Sequence, residues 1–289
     1  MHVKSTITAA LVVLGAWQTG VAAEPPATGT TTAAQGVASG AAEEAPRESR
    51  WRLGFALGYG LRTNPLVQSD DIPIVVDIDV AWFGDRFFFD NGDLGFTFAD
   101  NDLATISLVA RVNSDRVFFG KTNTRFVTVD SVGMPLSEAA IFEVPDRRYA
   151  TELGIEVLAG GSWGQLQLTA HHDISGTHDG YEAYINYGYG WRKQRWYVEP
   201  SFGISYKSDA LNDYYWGVRG DEASVALQPY SAGDGINAHA RLALSYQVSR
   251  HWTLSLVGEL ERLNDAAAAS PIVADQNIFG YFAGFGFRF

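Results

Sequence analysis

The chain has 289 residues, a formal net charge of −12, 46% hydrophobic residues and no cysteine. The length admits one large all-β domain or two smaller ones. Without cysteine there is no disulfide framework, no Cys-based zinc site and no thiol nucleophile, and the acidity argues against nucleic acid, whose binders need a basic face. Mean hydropathy near zero excludes little, because a membrane β-barrel alternates apolar and polar residues and averages out like a soluble protein.

Residues 1–23 read as a secretory signal peptide. Lys4 supplies the positive start, Ile7 to Trp17 the apolar core, and Val21-Ala22-Ala23 a small-residue cleavage site. The apolar core is too short to span a bilayer. No cysteine follows the site, so lipoprotein processing is excluded. Residues 24–50 are Ala, Thr, Gly, Pro and Glu with almost no large apolar side chain. They cannot bury enough surface to offset chain entropy, and are expected to form a disordered periplasmic tail, read as a tether with partner binding as the alternative.

From Trp51 onward the pattern has period two, and no run of 18 apolar residues occurs, so helical spans are excluded. In Trp51–Arg62 the odd positions are large and apolar, while the even ones are Gly, Ala or Arg. Residues 71–83 place Ile72, Ile74, Val76, Ile78, Val80 and Trp82 on one face, expected outward, with Asp77 and Asp79 on the other. Asn91-Gly92 signals a hairpin between two short strands, 86–91 and 93–99. Further strands are expected at 104–112, 149–159, 164–173, 180–192, 195–207, 236–248, 251–262 and 278–289. Pro200 cannot donate to a ladder, so a bulge is expected there.

The last strand, IFGYFAGFGFRF, carries aromatics at every second position. In water that row would invite aggregation; in a membrane barrel it faces lipid while the small residues face the lumen. The opposite face of the other strands is charged, which suits a polar lumen better than a dry sandwich core. Short turns near Gly84, Gly160–Gly164, Lys193-Gln194 and Ser249-Arg250 alternate with long loops at 63–70, 174–179, 208–235 and 263–277. Outer-membrane barrels keep turns short on the periplasmic side. Trp51, Trp82, Trp163, Trp191, Trp196 and Trp252 all fall beside those turns, as an interfacial girdle requires. The expected fold is therefore all-β, an antiparallel transmembrane β-barrel over 51–289 in the outer membrane of a Gram-negative envelope. It has twelve strands, or ten if the two short ones do not span, and the last strand pairs with Trp51–Arg62.

Several motifs resemble those of the MipA/OmpV outer-membrane proteins. They are GDRFFFDNGDLGF (84–96), DYYWGV (213–218) with Tyr230 and the Gly233/Gly235 pair, SRHWTL (249–254), SPIV (270–273) and the closing FAGFGFRF. The resemblance covers 51–289 and is weakest over 113–148. It implies a scaffold for murein-synthesising and murein-cleaving enzymes, with a murein lytic transglycosylase and a penicillin-binding protein as partners beside the surrounding lipids and lipopolysaccharide. Some members are linked to adhesion, osmotic response or drug entry.

Asp70-Asp71 and His178-Asp179 fall in outer loops and superficially resemble the water-activating groups of omptin proteases. Acidic residues are common in solvated loops, and neither pair is assigned to catalysis. His171 and Asp173 share a strand face, but two ligands are too few for a metal, so a luminal hydrogen-bonded pair is expected instead. Asp213–Trp216 reads as an aromatic loop folded into the barrel mouth, with ligand contact as the alternative. No catalytic, cofactor-binding or metal-ligating residue is assigned. The expected lumen holds Asp77, Asp79, Glu152, Glu156, Glu182, Glu199, Glu259 and Glu261 against Arg52, Arg62, Arg192, Lys207 and Arg241. Such a set either favours cations in a narrow pore or pairs into a network that rigidifies a closed barrel. The functional reading is a non-enzymatic envelope scaffold, with a small-solute or cation pore, then an outer-membrane protease or lipid hydrolase, as alternatives.

Overall fold

The computed structural model describes residues 50–119, 144–225 and 227–288. The signal-peptide and tail readings, most of the uncertain stretch 113–148 and Phe289 lie outside these residues. The strands are β1 (Trp51–Arg62), β2 (Ile72–Phe83), β3 (Phe87–Asp90), β4 (Asp93–Asp100), β5 (Ala104–Val112), β6 (Thr151–Gly161) and β7 (Gly164–Asp173). They continue with β8 (Tyr181–Gly188), β9 (Trp191–Lys193), β10 (Trp196–Lys207), β11 (Gly235–Gln247), β12 (Trp252–Arg262) and β13 (Asn277–Arg288). Each pairs antiparallel with its neighbours, and β13 closes the sheet on β1 through Gly54↔Arg288 to Arg62↔Gly280. Because β8 and β9 both pair with β10 in one register, they fill a single barrel position. The result is a closed twelve-stranded barrel. A strand of 12 residues rises roughly 40 Å along its own axis and, tilted by about 40°, spans about 30 Å, the hydrocarbon thickness of a bilayer.

Alternation builds the two faces. Along β1 and β13, Leu57, Tyr59, Phe279 and Phe285 are exposed outward, while Arg62 and Phe282 are buried inward. At the short-turn end the tryptophans form one rim. Trp51 lies opposite Trp82, Trp196 packs on Tyr246 at 4.8 Å and Trp252 stacks on Phe285 at 4.8 Å. Asn91 and Gly92 have φ of 49° and 108°, the left-handed pair that a two-residue hairpin demands.

Three expectations change. Ile72 and Ile74 point inward and are buried, not outward, because a bulge between Leu57 and Gly60 of β1 shifts the register of β2. Pro200 carries no bulge: β10 pairs with β11 without a break across Pro200↔Leu242. The irregularity sits in the facing strand, which is interrupted between Gly188 and Trp191, since Pro200 has no N–H to offer it. Finally, Asp213–Trp216 belongs to a helix, α1 (Asp209–Trp216), started by Ser208, whose side chain accepts from Leu211 N–H.

Candidate functional site

The described outer loops pack on one another. The segment after β1, a 3₁₀ helix (Ser114–Phe119), α1 and its following loop, and the segment around α2 (Asp265–Ala268) share one apolar core. Its largest members are Trp216, Tyr215, Leu211, Phe118 and Phe119. Phe119 sits 6.0 Å from both the Tyr215 and Trp216 rings. Arg147, buried between Phe119 and Tyr214, donates to Gly217 O and bidentately to Glu222. Burial alone would raise the Glu222 carboxyl, but the hydrogen bonds from Arg147 and from the Arg219 N–H outweigh it and hold it below the usual glutamate range. Such a loop assembly, with its own buried apolar side chains, is a folded lid and not a set of solvated loops.

Beneath this cap lies a layer of buried charge. Arg111 of β5 bridges Glu152 of β6, at 2.9 Å, and Glu182 of β8. Glu152 also accepts from Asn113, and His178 Nε2 lies 3.3 Å from the same oxygen, Oε1. Lys207 of β10 donates to both oxygens of Asp115, each at 2.7 Å, and lies 4.0 Å from Glu182. Burial pushes the Asp115 carboxyl up, against the opposing pull of Lys207. On the far wall Arg62 reaches Glu261, which also accepts from Asn237. Buried ions need such partners, and these pairs join the cap to the strands below it.

The periplasmic half of the lumen is less fully paired. Arg52 chelates Asp79 and Asp90, Arg241 lies 4.0 Å from Glu199, and Gln167 donates to Glu156. Asp77 and Glu259 make no ion pair among the described residues. The described periplasmic turns, such as 84–86, 162–163 and 194–195, are too short to fold across the inner mouth.

The residues weighed for chemistry separate. Asp70 and Asp71 are exposed, and Asp71 accepts from Asn64 N–H. His178 is buried under the cap against Tyr214 and Tyr215, with its Nδ1 accepting from Gly180 N–H. The structure does not bring the two loops together as a water-activating pair. His171 and Asp173 do share the luminal face, yet the expected hydrogen bond between them is absent. Asp173 is consumed by its own turn, accepting from the N–H groups of Ser175, Thr177, His178 and Asp179. Neither His171 ring nitrogen has a hydrogen-bond partner among the described residues. Arg192 stands exposed at the rim over Tyr197, outside the luminal network. Arg111 and Asp115, absent from the expected charge set, are its central members. Parity along ATISLVARV would have found Arg111, two residues beyond Val109 on the inner face; Asp115, in the short 3₁₀ helix past the strand end, gave no period-two signal.

A closed, tilted, antiparallel barrel with a lipid-facing apolar wall, an aromatic rim and a charged interior is an outer-membrane β-barrel protein. The chain belongs to the MipA family: the model described as MltA-interacting protein MipA matches residues 53–289. It is similar to the outer membrane protein Omp26La of Vibrio anguillarum, 28% identical over 55% of this chain and 65% of that one. OmpV of Vibrio cholerae is 29% identical over the same shares. This chain thus covers just under two thirds of the length of those two relatives. The MltA-interacting protein of Escherichia coli K12 is 26% identical over 78% of this chain and 85% of its own. Among solved structures, the Pseudomonas putida toluene transporter TodX aligns at 10% identity over 84% of this chain and 90% of that one, with a TM-score of 0.33.

Proposed function

We propose that this barrel is a non-catalytic envelope protein that works through its periplasmic face, holding a murein lytic transglycosylase, and with it a penicillin-binding protein, against the outer membrane. The observation that carries the reading is the asymmetry of the two mouths. The outer one carries a cap with its own apolar core, tied down by the Lys207–Asp115 pair. At the inner one, the described turns are too short to cover it. A pore needs a through-path, which that cap obstructs, whereas a periplasmic scaffold needs only its inner face. The name of the Escherichia coli relative, MltA-interacting protein, supports the same direction. Burial of His178 beneath the cap speaks against the hydrolase alternative.

Crosslinking in intact cells, followed by identification of the periplasmic partners, tests the reading. Recovery of a lytic transglycosylase is the expected result. Recovery of no murein enzyme, together with a steady cation-selective current in planar bilayers, would replace the scaffold with the pore.

A further inference from the structure

We infer that the periplasmic corner formed by β2, β3 and β4 is a docking cleft for an extended segment of a periplasmic protein, with apolar side chains alternating with basic ones. The inference rests on the proposal that the barrel acts through its inner face. It starts from two phenylalanines that lipid does not explain. In the run from Trp82 to Phe89, Trp82, Phe87 and Phe89 take the outward face, as a girdle requires. Phe83 and Phe88 take the inward one: they pair with each other, and Phe88 pairs in turn with Gly95. The Phe88 ring lies over Gly95 so closely that a Cβ there would come within 1.9 Å of it. Phe83 stacks on Phe88 at 6.3 Å with 25° between the planes, and the luminal Arg52 stands over its ring. Phe83 nevertheless remains 42% exposed, on the same side of the wall as the luminal Arg52.

Among the described residues, the strand edge beside these rings is also open. Thr97 N–H donates to Arg86 O, closing the last rung between β4 and the turn before β3. Beyond it, Phe98 sits in a bulge, and Ala99 and Asp100 pair only with β5 among the described residues. An unpaired edge beside an apolar surface is what strand addition uses: main-chain hydrogen bonds give affinity, and alternate side chains enter the pocket. The cleft holds about 470 Å³ and is lined by Phe83, Phe88, Thr97 and Asp100, with Asp85 and Arg86 at its lip. At this corner the carboxylates of Asp79, Asp85, Asp90 and Asp100 outnumber the guanidiniums of Arg50, Arg52 and Arg86: Arg50 pairs with Asp85, and among the described residues Asp79 and Asp90 have one ion-pair partner between them, Arg52. This excess of carboxylate selects basic side chains in the occupant. The chain's own residues 24–49 fit poorly by that chemistry, having few large apolar side chains and carrying Glu43, Glu44 and Glu48.

The test uses the mature full-length barrel in detergent and a fluorescent decapeptide alternating Lys with Phe or Leu. Its partner probe is the same peptide N-methylated at every residue, which keeps charge and apolarity but leaves no N–H on either strand edge to add to the sheet. Saturable binding is expected, weakened at least about tenfold by N-methylation and by Phe83→Ser. Asp100→Lys should weaken the Lys peptide and favour a Glu-for-Lys version, while Asp221→Asn, in an outer loop, changes nothing. Equal binding of the N-methylated peptide, or no loss with Phe83→Ser, would mean surface adsorption and overturn the inference. Binding that emerges only after removal of residues 24–49 would overturn it too, by making the chain its own occupant. Failure to recover a murein enzyme in cells, with peptide binding intact, would remove that partner and leave the cleft.

Discussion

Lys207 Nζ lies 2.7 Å from each carboxylate oxygen of Asp115, joining a wall strand to the 3₁₀ helix of the cap across ninety-two residues of sequence. Both side chains are more than nine-tenths buried. Breaking a buried pair leaves one charge uncompensated and costs about 3–5 kcal/mol. Asp115→Asn should fall at the lower end of that range, because Glu182 stands 4.0 Å from Lys207. The double change Lys207→Met with Asp115→Leu removes both charges and should recover most of the loss. Urea unfolding of the refolded barrel measures all three; equal stability of the single and double variants would show that the pair is not the tie.

The cap itself should govern conductance. Trp216 is fully buried and contacts both Phe118 and Phe119. Trp216→Ala is expected to cost about 3–5 kcal/mol of local packing while leaving the strand ladders intact. In planar bilayers the parent barrel should show no steady open current, and the variant should show flickering, cation-selective openings through the carboxylate-rich lumen below. An identical silent trace from a correctly folded variant would mean that the charge layer, not the apolar cap, is the seal.

The barrel was legible in the sequence because its physics is periodic. Period-two alternation and the Asn91-Gly92 turn located the strands to within a residue or two, and the rim tryptophans oriented them. What escaped was aperiodic. Ile72 and Ile74 read as lipid-facing because a bulge opposite them, near Gly58 and Tyr59, shifts the phase without altering the pattern of either strand. Pro200 disturbed the strand across from it, since the missing N–H is felt by the partner that would have accepted it. Tyr214 to Trp216 read as loop because a helix of eight residues inside a cap has a short signature, and its Ser208 cap lies one residue past a strand end. The charge layer was half visible. Parity exposes Glu152, Glu182 and Lys207, but their partners Asn113, Asp115 and His178 lie outside the strands, where only the folded structure brings them within reach.

The short hairpin between β3 and β4 should be intolerant of branched side chains. Asn91 adopts φ 49°, and its side chain accepts from Val80 N–H and donates to Asp79 and Asp90. Asn91→Val forces a β-branched residue into the left-handed region and leaves the Val80 N–H without its acceptor, a cost of about 2–4 kcal/mol. Asn91→Gly keeps the backbone and loses only the side-chain bonds, so it should cost less. Heat-modifiable mobility on gels, which separates folded from unfolded barrels, ranks the two; equal folded fractions would show that the turn does not limit assembly.

Acid should loosen the cap through Glu222. Its two oxygens take hydrogen bonds from Arg147 and from Arg219, which hold its carboxyl below the ordinary value of about 4.3. A carboxyl whose folded value is depressed adds stability that is fully present above its unfolded value and fades as pH falls through the folded one. The loss therefore begins near pH 4.3 and completes below it, and at neutral pH the clamp is intact. Trp216 lies in the same apolar core as Tyr214, the ring on which Arg147 packs, so its fluorescence reports the clamp; comparison with a Trp216→Phe parent isolates it from the rim tryptophans. The Trp216 signal should change as pH drops below about 4.3. In Glu222→Gln, which cannot ionise, that acid limb should disappear, with the cap already weaker at pH 7. Persistence of the same acid limb in Glu222→Gln would assign the transition to another carboxylate and remove Arg147–Glu222 as the cap's acid-sensitive tie.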